Sequence, residues 1–213
     1  MSKGLGITDP DLFSKEITVR EWVHRRLGGV AHELRVARVA EMLFQLTRRW
    51  HDLGRAESRL LTLAALVHDV GRAAGEEGHA KTGARMLLEN TSLPLTETER
   101  RRLAFMIRHH RGRIPEIGEE RFLDRDADDR LMMRTLLGLL RAADTLDSRS
   151  LGSPQLVATV RGRLVTIYGY IAGDAAVAAA SLGKPKKFRL LESTLDCRVQ
   201  TEWFSTDRLA MVS

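Results

Sequence analysis

The stretch from Leu60 to Gly71 constrains the fold most strongly, because an apolar segment of helical character ends there in two polar residues. It reads Leu-Leu-Thr-Leu-Ala-Ala-Leu-Val-His-Asp-Val-Gly, so His68 and Asp69 follow directly on an apolar run. Histidines and aspartates mostly lie at surfaces and avoid apolar stripes. We therefore expect a buried polar site at this helix end, if other polar side chains approach it in the same way.

Hydrophobic periodicity predicts further long helices, and polar residues fall on their apolar faces. Thr96 followed by Glu99 is a capping box that begins one of them. Asp144 lies on the apolar stripe of another, where an ionised carboxylate is costly unless it is paired or binds a metal. The predicted helices, including that of the opening stretch, span 32–50, 57–70, 79–90, 97–110 and 129–147.

The predicted fold class is mainly α, a helical bundle with a small C-terminal α+β subdomain. We expect a lead-in over residues 1–25, with a short helix within 11–28, then a helical domain over 26–150 and the subdomain over 151–213. Residues 111–129 read as a long irregular loop, which suggests a lid or an insertion. In the subdomain, strands are predicted at 157–160, 164–170 and 196–204, with a helix over 174–191 that is broken near Gly183.

Composition limits the classes of protein that fit this chain. Apolar residues make up 43% of the 213 residues, enough for a substantial core. The single cysteine, Cys197, excludes a disulfide framework and a cysteine-based zinc site. The sequence shows neither a secretory signal nor a long apolar run, so we expect a cytoplasmic protein without a membrane partner. A net charge of +6 favours anionic partners but is too modest to favour nucleic acid.

Five of the seven histidines lie at the ends or on the apolar faces of predicted helices, and two aspartates join them. A single histidine in such a place is more often a hydrogen-bonded core residue. Several of them, on helices that must pack together, would leave buried polar groups unsatisfied unless a metal ion is bound. The candidate ligands are His32, His68, Asp69, His79, His109, His110 and Asp144.

The donor types indicate the kind of metal. Imidazole and carboxylate suit first-row divalent ions better than Ca²⁺, and the absence of thiolates argues against a closed structural zinc site. Seven ligands exceed the needs of one tetrahedral ion but suffice for two ions bridged by a carboxylate. His68 and Asp69 diverge by about 100° on a helix, so the pair can address two neighbouring ions. We expect one or two divalent ions, with Mn, Fe, Ni, Zn and Mg left open.

The ligand pattern resembles that of the HD superfamily of metal-dependent phosphohydrolases. The core of the resemblance is His32, the pair His68-Asp69, and Asp144. The additional His79 and His109-His110 resemble the bimetallic subset, which includes cyclic-di-GMP phosphodiesterases with an HD-GYP signature. The resemblance implies two ions bridged by Asp69, with one ion on His32, His68, Asp69 and Asp144 and the other on His79, His109 and His110.

Longer segments resemble the C-terminal HD region of the exopolyphosphatase/guanosine pentaphosphate phosphatase family, over about residues 30–205. The matching segments are 68–71, 79–84, 93–99 and 139–147. The sequence shows no counterpart of that family's actin-like catalytic domains, so their chemistry is not implied. Residues 111–115 lack the Gly-Tyr-Pro of the cyclic-di-GMP enzymes. The Glu-Asp pair that alarmone hydrolases of the superfamily carry after the His-Asp pair is also missing.

These features predict a metal-dependent phosphohydrolase that acts on a phosphorylated small molecule, such as a nucleotide or polyphosphate. His68 and Asp69 are the predicted catalytic residues. Lys81, Arg72 and Arg111, each close in sequence to a ligand, are candidates to bind phosphate, although a solvated surface role is an equal alternative. Two other functions are left open: a non-catalytic module that binds polyphosphate or nucleotides, and a di-iron oxygenase on the same scaffold. A homodimer through the subdomain is also left open.

Overall fold

Helices make up most of the protein, and a small sheet follows them, which confirms the predicted mainly α class. A computed structural model describes residues 10–114, 127–147, 153–182 and 185–207. Most of the predicted lid, and the break at Gly183, lie outside these residues. The helices are α1 Pro10–Leu27, α2 Ala31–Thr47, α3 Arg55–Val67, α4 His79–Glu89, α5 Glu97–His109, α6 Ala127–Leu146, α7 Ala175–Leu182 and α8 Arg189–Leu195. The strands are β1 Gln155–Arg161, β2 Leu164–Ile171 and β3 Arg198–Ser205, and 3₁₀ turns occupy Arg48–Trp50, Val70–Ala74 and Pro185–Lys187.

Helices α3 and α6 form the centre of the bundle. The second half of α3 is buried, and so is nearly all of α6 from Met133 onward. A helix that is apolar around its whole circumference belongs inside a bundle. Helix α3 packs against α1, α2, α5 and α6, while α4 packs mainly on α5. The C-terminal ends of the two central helices therefore bring His68 and Asp144 into the interior.

A close backbone contact seats the start of α4 against the turn that follows His68-Asp69. A Cβ atom added to Gly71 would lie 2.0 Å from the carbonyl oxygen of His79 and 2.5 Å from the backbone nitrogen of Gly83. Real Cβ atoms do not approach backbone atoms so closely, so only glycine fits at position 71. This contact places the first residue of α4, His79, beside Asp69.

The predicted capping box at the start of α5 is confirmed. The Thr96 side chain accepts a hydrogen bond from the Glu99 backbone N–H at 3.2 Å, and Glu99 accepts one from the Thr96 backbone N–H at 2.7 Å. The ammonium group of Lys15 on α1 lies 2.8 Å from the same carboxylate. Glu99 thus caps α5 and links it to α1.

The sheet has the order β1-β2-β3, with β1 antiparallel and β3 parallel to β2. The parallel pair is joined through α7 and α8, and α8 packs on α6, where a Cβ atom added to Gly138 would lie 3.0 Å from the Leu191 backbone. Apart from α7, whose Ala178 and Leu182 pack with Ile171 in a small separate cluster, one hydrophobic core runs from α1 to α8. It crosses the predicted boundaries at residues 25 and 150, and the division into those domains stays a prediction. Within the described residues, no helix is long and apolar enough to cross a membrane.

Candidate metal centre

Six of the seven predicted ligands meet at one buried place, where the ends of several elements converge. They form two sets of three side chains whose donor atoms lie within 4.8 Å of one another. All six are buried, and His68 and Asp69 are fully enclosed. The first donor group consists of His32, His68 and Asp144, and the second donor group of Asp69, His79 and His110.

The second donor group is the tighter of the two. Asp69 Oδ1 lies 3.3 Å from His79 Nε2 and 3.4 Å from His110 Nε2. The two imidazole nitrogens are 3.4 Å apart. Atoms bound to one first-row divalent ion at about 2.0–2.2 Å lie about 3.0–3.5 Å from one another. The three donors therefore have the spacing that a single divalent ion requires.

The first donor group is slightly wider, and Asp69 lies between the two groups. Asp144 Oδ1 is 3.6 Å from His32 Nε2 and 3.4 Å from His68 Nε2. Asp69 Oδ2 lies 3.9 and 3.8 Å from the same two nitrogens. Asp69 thus turns one carboxylate oxygen toward each group, the geometry expected of a bridging ligand.

The four histidines of the two groups share one orientation. Each donates its Nδ1–H to an oxygen outside the donor groups, so Nε2 is the nitrogen that faces the site. The acceptors are the carbonyl oxygens of Ala65, Glu76 and Ile107 for His68, His79 and His110, each at 2.7 Å, and Asp147 Oδ2 for His32 at 2.5 Å. Imidazoles fixed in this orientation are suited to binding a metal ion.

The electrostatics of the site favour a bound cation. Burial by itself lowers the pKa of His68, but the carboxylates of Asp144 and Asp69 raise it to about 9. Burial also works to raise the pKa of both aspartates. The imidazole of His110 nevertheless holds the pKa of Asp69 below its ordinary value, and those of His32 and His68 do the same for Asp144. Both carboxylates are therefore ionised at neutral pH and attract a proton or a metal ion.

Two of the three basic side chains predicted to bind phosphate lie at this site. Arg72 Nη1 lies 3.6 Å from Asp69 Oδ2, and Arg111 Nε lies 3.4 Å from Asp144 Oδ2. Arg72 also pairs with Glu76. The side chain of Lys81 is exposed on α4. The two arginines therefore place positive charge directly beside the two acidic residues of the site.

The structure does not bring His109 into either donor group. Its ring lies against Phe105, with the ring centroids 5.0 Å apart. Consecutive helical residues point about 100° apart, so His109 turns away when His110 faces the site. Burial, and then the charge of Arg108, lower the pKa of His109 to about 4. The geometry does not support a ligand role for this residue.

Three polar residues near the site have roles that the sequence pattern alone did not assign. Asp147 accepts hydrogen bonds from His32 and from Arg35 Nε, the latter at 2.7 Å. Its signal was its position directly after α6, three residues beyond Asp144. Arg141, on the same helix as Asp144, donates to the carbonyl oxygens of residues 109 and 112. Glu33, next to His32, is 1% exposed and lies close to Asp69.

Comparison with known proteins places the chain in a family. No curated protein matches it. Residues 17–160 match the family model described as Ppx/GppA phosphatase, domain III. This segment covers α2 to α6 and so includes both donor groups. Since the match spans more than half of the chain, the protein belongs to the Ppx/GppA phosphatase domain III family.

Proposed function

We propose that this protein is a metal-dependent phosphohydrolase of the HD type, with a dinuclear centre at the two donor groups. The observation that carries the proposal is the placement of Asp69, which presents Oδ1 to the second donor group and Oδ2 to the first. A carboxylate shared in this way is the usual link between two ions of a hydrolytic centre. Membership of a phosphatase family agrees with this chemistry.

In the proposed centre the protein supplies ligands, orientation and charge. Divalent ions bound there would lower the pKa of a water molecule and withdraw charge from phosphoryl oxygens. The hydrogen bond that each Nδ1–H donates fixes the ring, so that Nε2 of all four imidazoles is aimed inward. Arg72 and Arg111, each beside an acidic ligand, orient the phosphoryl group and offset the charge that develops on it.

The proposed substrate is a phosphorylated small molecule, with nucleotides and polyphosphate as the leading classes. A phosphoryl group matches the charge of the two arginines beside the acidic residues of the site. Monoesters and diesters both offer the oxygens that such a centre binds. The first assay therefore has to test a phosphate monoester and a phosphate diester side by side.

A metal-supplemented hydrolysis screen tests the proposal. Metal-free protein is incubated with Mn²⁺, Fe²⁺, Ni²⁺, Zn²⁺ or Mg²⁺ and with p-nitrophenyl phosphate or bis(p-nitrophenyl) phosphate. We expect activity that a chelator removes and that Asp69→Asn lowers about 100-fold or more, while His24→Gln, an exposed histidine, leaves it unchanged. Absence of hydrolysis of both esters with all five metals would overturn the proposal.

A second candidate function is anion binding without hydrolysis, favoured by a basic groove on the far side of α6. The groove has a volume of about 1270 Å³ and lies between α6, α8 and β3. Arg134, Arg189 and Arg198 line it, and the last two are exposed. If this is the function, Arg189→Glu with Arg198→Glu will abolish polyphosphate binding, and Asp69→Asn will not affect it.

A di-iron oxygenase stays an alternative that elemental analysis separates from the hydrolase. Protein purified without oxygen would then contain two irons, and its turnover would consume oxygen. A hydrolase releases phosphate or an alcohol under the same anaerobic conditions. The two outcomes are mutually exclusive as accounts of the main activity.

A further inference from the structure

We propose that Glu33 is an additional carboxylate ligand on the His32 side of the centre. This inference rests on the proposed metal centre and extends it. Glu33 follows His32 directly on α2 and is only 1% exposed. Glutamate is almost never buried so completely unless its charge is compensated. Its burial directly beside His32 therefore makes it a candidate for the same centre.

The geometry of Glu33 matches that of the two donor groups. A carboxylate oxygen of Glu33, a ring nitrogen of His32 and a carboxylate oxygen of Asp69 lie within 4.8 Å of one another. The first and second donor groups satisfy the same condition. His32 and Asp69 thus have acidic neighbours on both sides, Glu33 as well as Asp144.

Another glutamate of the same helix shows what a purely structural carboxylate looks like here. Glu41 accepts a hydrogen bond from Gln45 at 2.6 Å and one from the Ser58 hydroxyl, and it lies away from the histidines. Glu33, by contrast, shares its surroundings with two candidate metal ligands. The comparison makes Glu41 a matched control for Glu33, since both residues are glutamates of α2.

Charge and donor type suggest what Glu33 contributes. Asp69, Asp144 and Glu33 bring three buried carboxylates to one place, and such charges require nearby cations. Two divalent ions carry more positive charge than two aspartates balance, so a third carboxylate strengthens binding. It also makes the His32 side richer in oxygen than the second donor group. Oxygen-rich sites favour harder ions such as Mn²⁺ relative to Zn²⁺.

Calorimetric titration of metal-free protein tests this role. Wild type, Glu33→Gln and Glu41→Gln are each titrated with Mn²⁺ and, separately, with Zn²⁺. We expect Glu33→Gln to weaken one Mn²⁺ binding step about tenfold or more and the corresponding Zn²⁺ step less, while Glu41→Gln resembles wild type. Unchanged Mn²⁺ affinity in Glu33→Gln would overturn the proposal, and so would an equal loss in Glu41→Gln.

Anomalous diffraction from Mn²⁺-soaked crystals of the wild type gives a test that no folding defect affects. We expect a Glu33 oxygen at about 2.0–2.5 Å from an ion, the range of carboxylate ligands. A Glu33 carboxylate that contacts no ion in this map would refute its role.

The role of Glu33 and the proposed function can fail independently of each other. Loss of Mn²⁺ affinity in Glu33→Gln without any hydrolysis by the wild type would reject only the proposed function. Metal-dependent hydrolysis with unchanged Mn²⁺ affinity would reject only the role of Glu33.

Discussion

His32 and Asp147, which are 115 residues apart in sequence, are joined by a hydrogen bond of 2.5 Å between Nδ1 and Oδ2. Arg35 holds the same carboxylate from α2 through Nε at 2.7 Å. Asp147 is thereby fixed from two directions, and it in turn fixes the ring of His32. An anionic acceptor at Nδ1 also makes the imidazole a stronger metal ligand.

We therefore expect Asp147→Asn to weaken metal binding although Asp147 belongs to neither donor group. The loss should be about 10–100-fold in affinity for one ion, as for other residues that orient a ligand. Titration with Mn²⁺ measures it, and Asp52→Asn, which alters an exposed aspartate, is the control. Equal affinities in the two variants would show that the bond to His32 does not tune the site.

The arginines at the site should matter more than the exposed lysine. Replacement of Arg111 by methionine removes a guanidinium that lies 3.4 Å from Asp144, and we expect kcat/KM for a phosphate ester to fall about 100-fold. Lys81→Met should change kcat/KM less than about threefold, because that side chain points to solvent. A large loss of kcat/KM in Lys81→Met would instead support the phosphate-binding role that the sequence predicted for Lys81.

The metal-free protein should lose stability as the pH rises, because its folded form retains a proton on His68. The pKa of His68 is about 9 in the folded chain and 6.5 ordinarily, so the folded chain binds this proton more tightly. The stabilisation is complete below about pH 6.5 and is lost as the pH rises through about 9. Thermal unfolding in chelator should show this fall, and His68→Gln should lack it.

The affinity of the protein for a metal ion should change with pH in the opposite direction and increase as the pH rises. An ion must displace the proton from His68, so its apparent affinity increases with pH over the same window. Mn²⁺ titrations at pH 6.5 and pH 8.5 measure the effect. A pH-independent affinity would mean that His68 is already neutral at pH 6.5.

The single cysteine should be nearly inert in the folded protein. Burial, assisted by the charge of Glu192, raises the pKa of Cys197 to about 11. At pH 8 only about one thiol in a thousand is then ionised, compared with about a quarter of ordinary thiols. We expect a disulfide reagent such as dithionitrobenzoate to react at least about 100-fold more slowly with the native chain than with the chain in guanidinium. Similar rates in both would show that α8 does not enclose this residue.

Gly71→Ala should destabilise the fold by about 1–3 kcal/mol, because its new methyl group meets the backbone of α4. Gly29→Ala is the matched control, since an added Cβ there has no neighbour within 4 Å, and its effect should stay within about 1 kcal/mol. Urea unfolding of the metal-free proteins measures both. Equal effects would argue that the turn and α4 are not in contact.

Much of the fold followed from local pattern. The periodic apolar stripes placed α2 to α6 within a few residues of their observed ends, and the Thr96–Glu99 pair marked the start of α5. The six side chains that meet at the candidate metal centre were identifiable because a histidine or aspartate on an apolar face is conspicuous. His109 was included because adjacency in sequence does not tell which of two neighbouring side chains faces inward.

What the sequence could not provide depends on three-dimensional packing. Asp147 and Glu33 resemble ordinary charged residues at helix ends. Only the approach of α6 to α2 brings Asp147 to His32, and only the packing of α3 on α2 brings Asp69 close to Glu33. Arg141 reaches the end of α5 rather than an aspartate because two carbonyl oxygens lie within its reach. The continuous core from α1 to α8 likewise depends on side chains distant in sequence.

The approach of Gly71 to Gly83 separates the scaffold of the site from its chemistry. The two glycines contribute no side chain, yet their contact determines where His79 stands relative to Asp69. They lie three residues after His68 and four after His79, outside both donor groups. Replacement of the histidines should therefore leave this backbone in place, so that new side chains can be presented at the same positions.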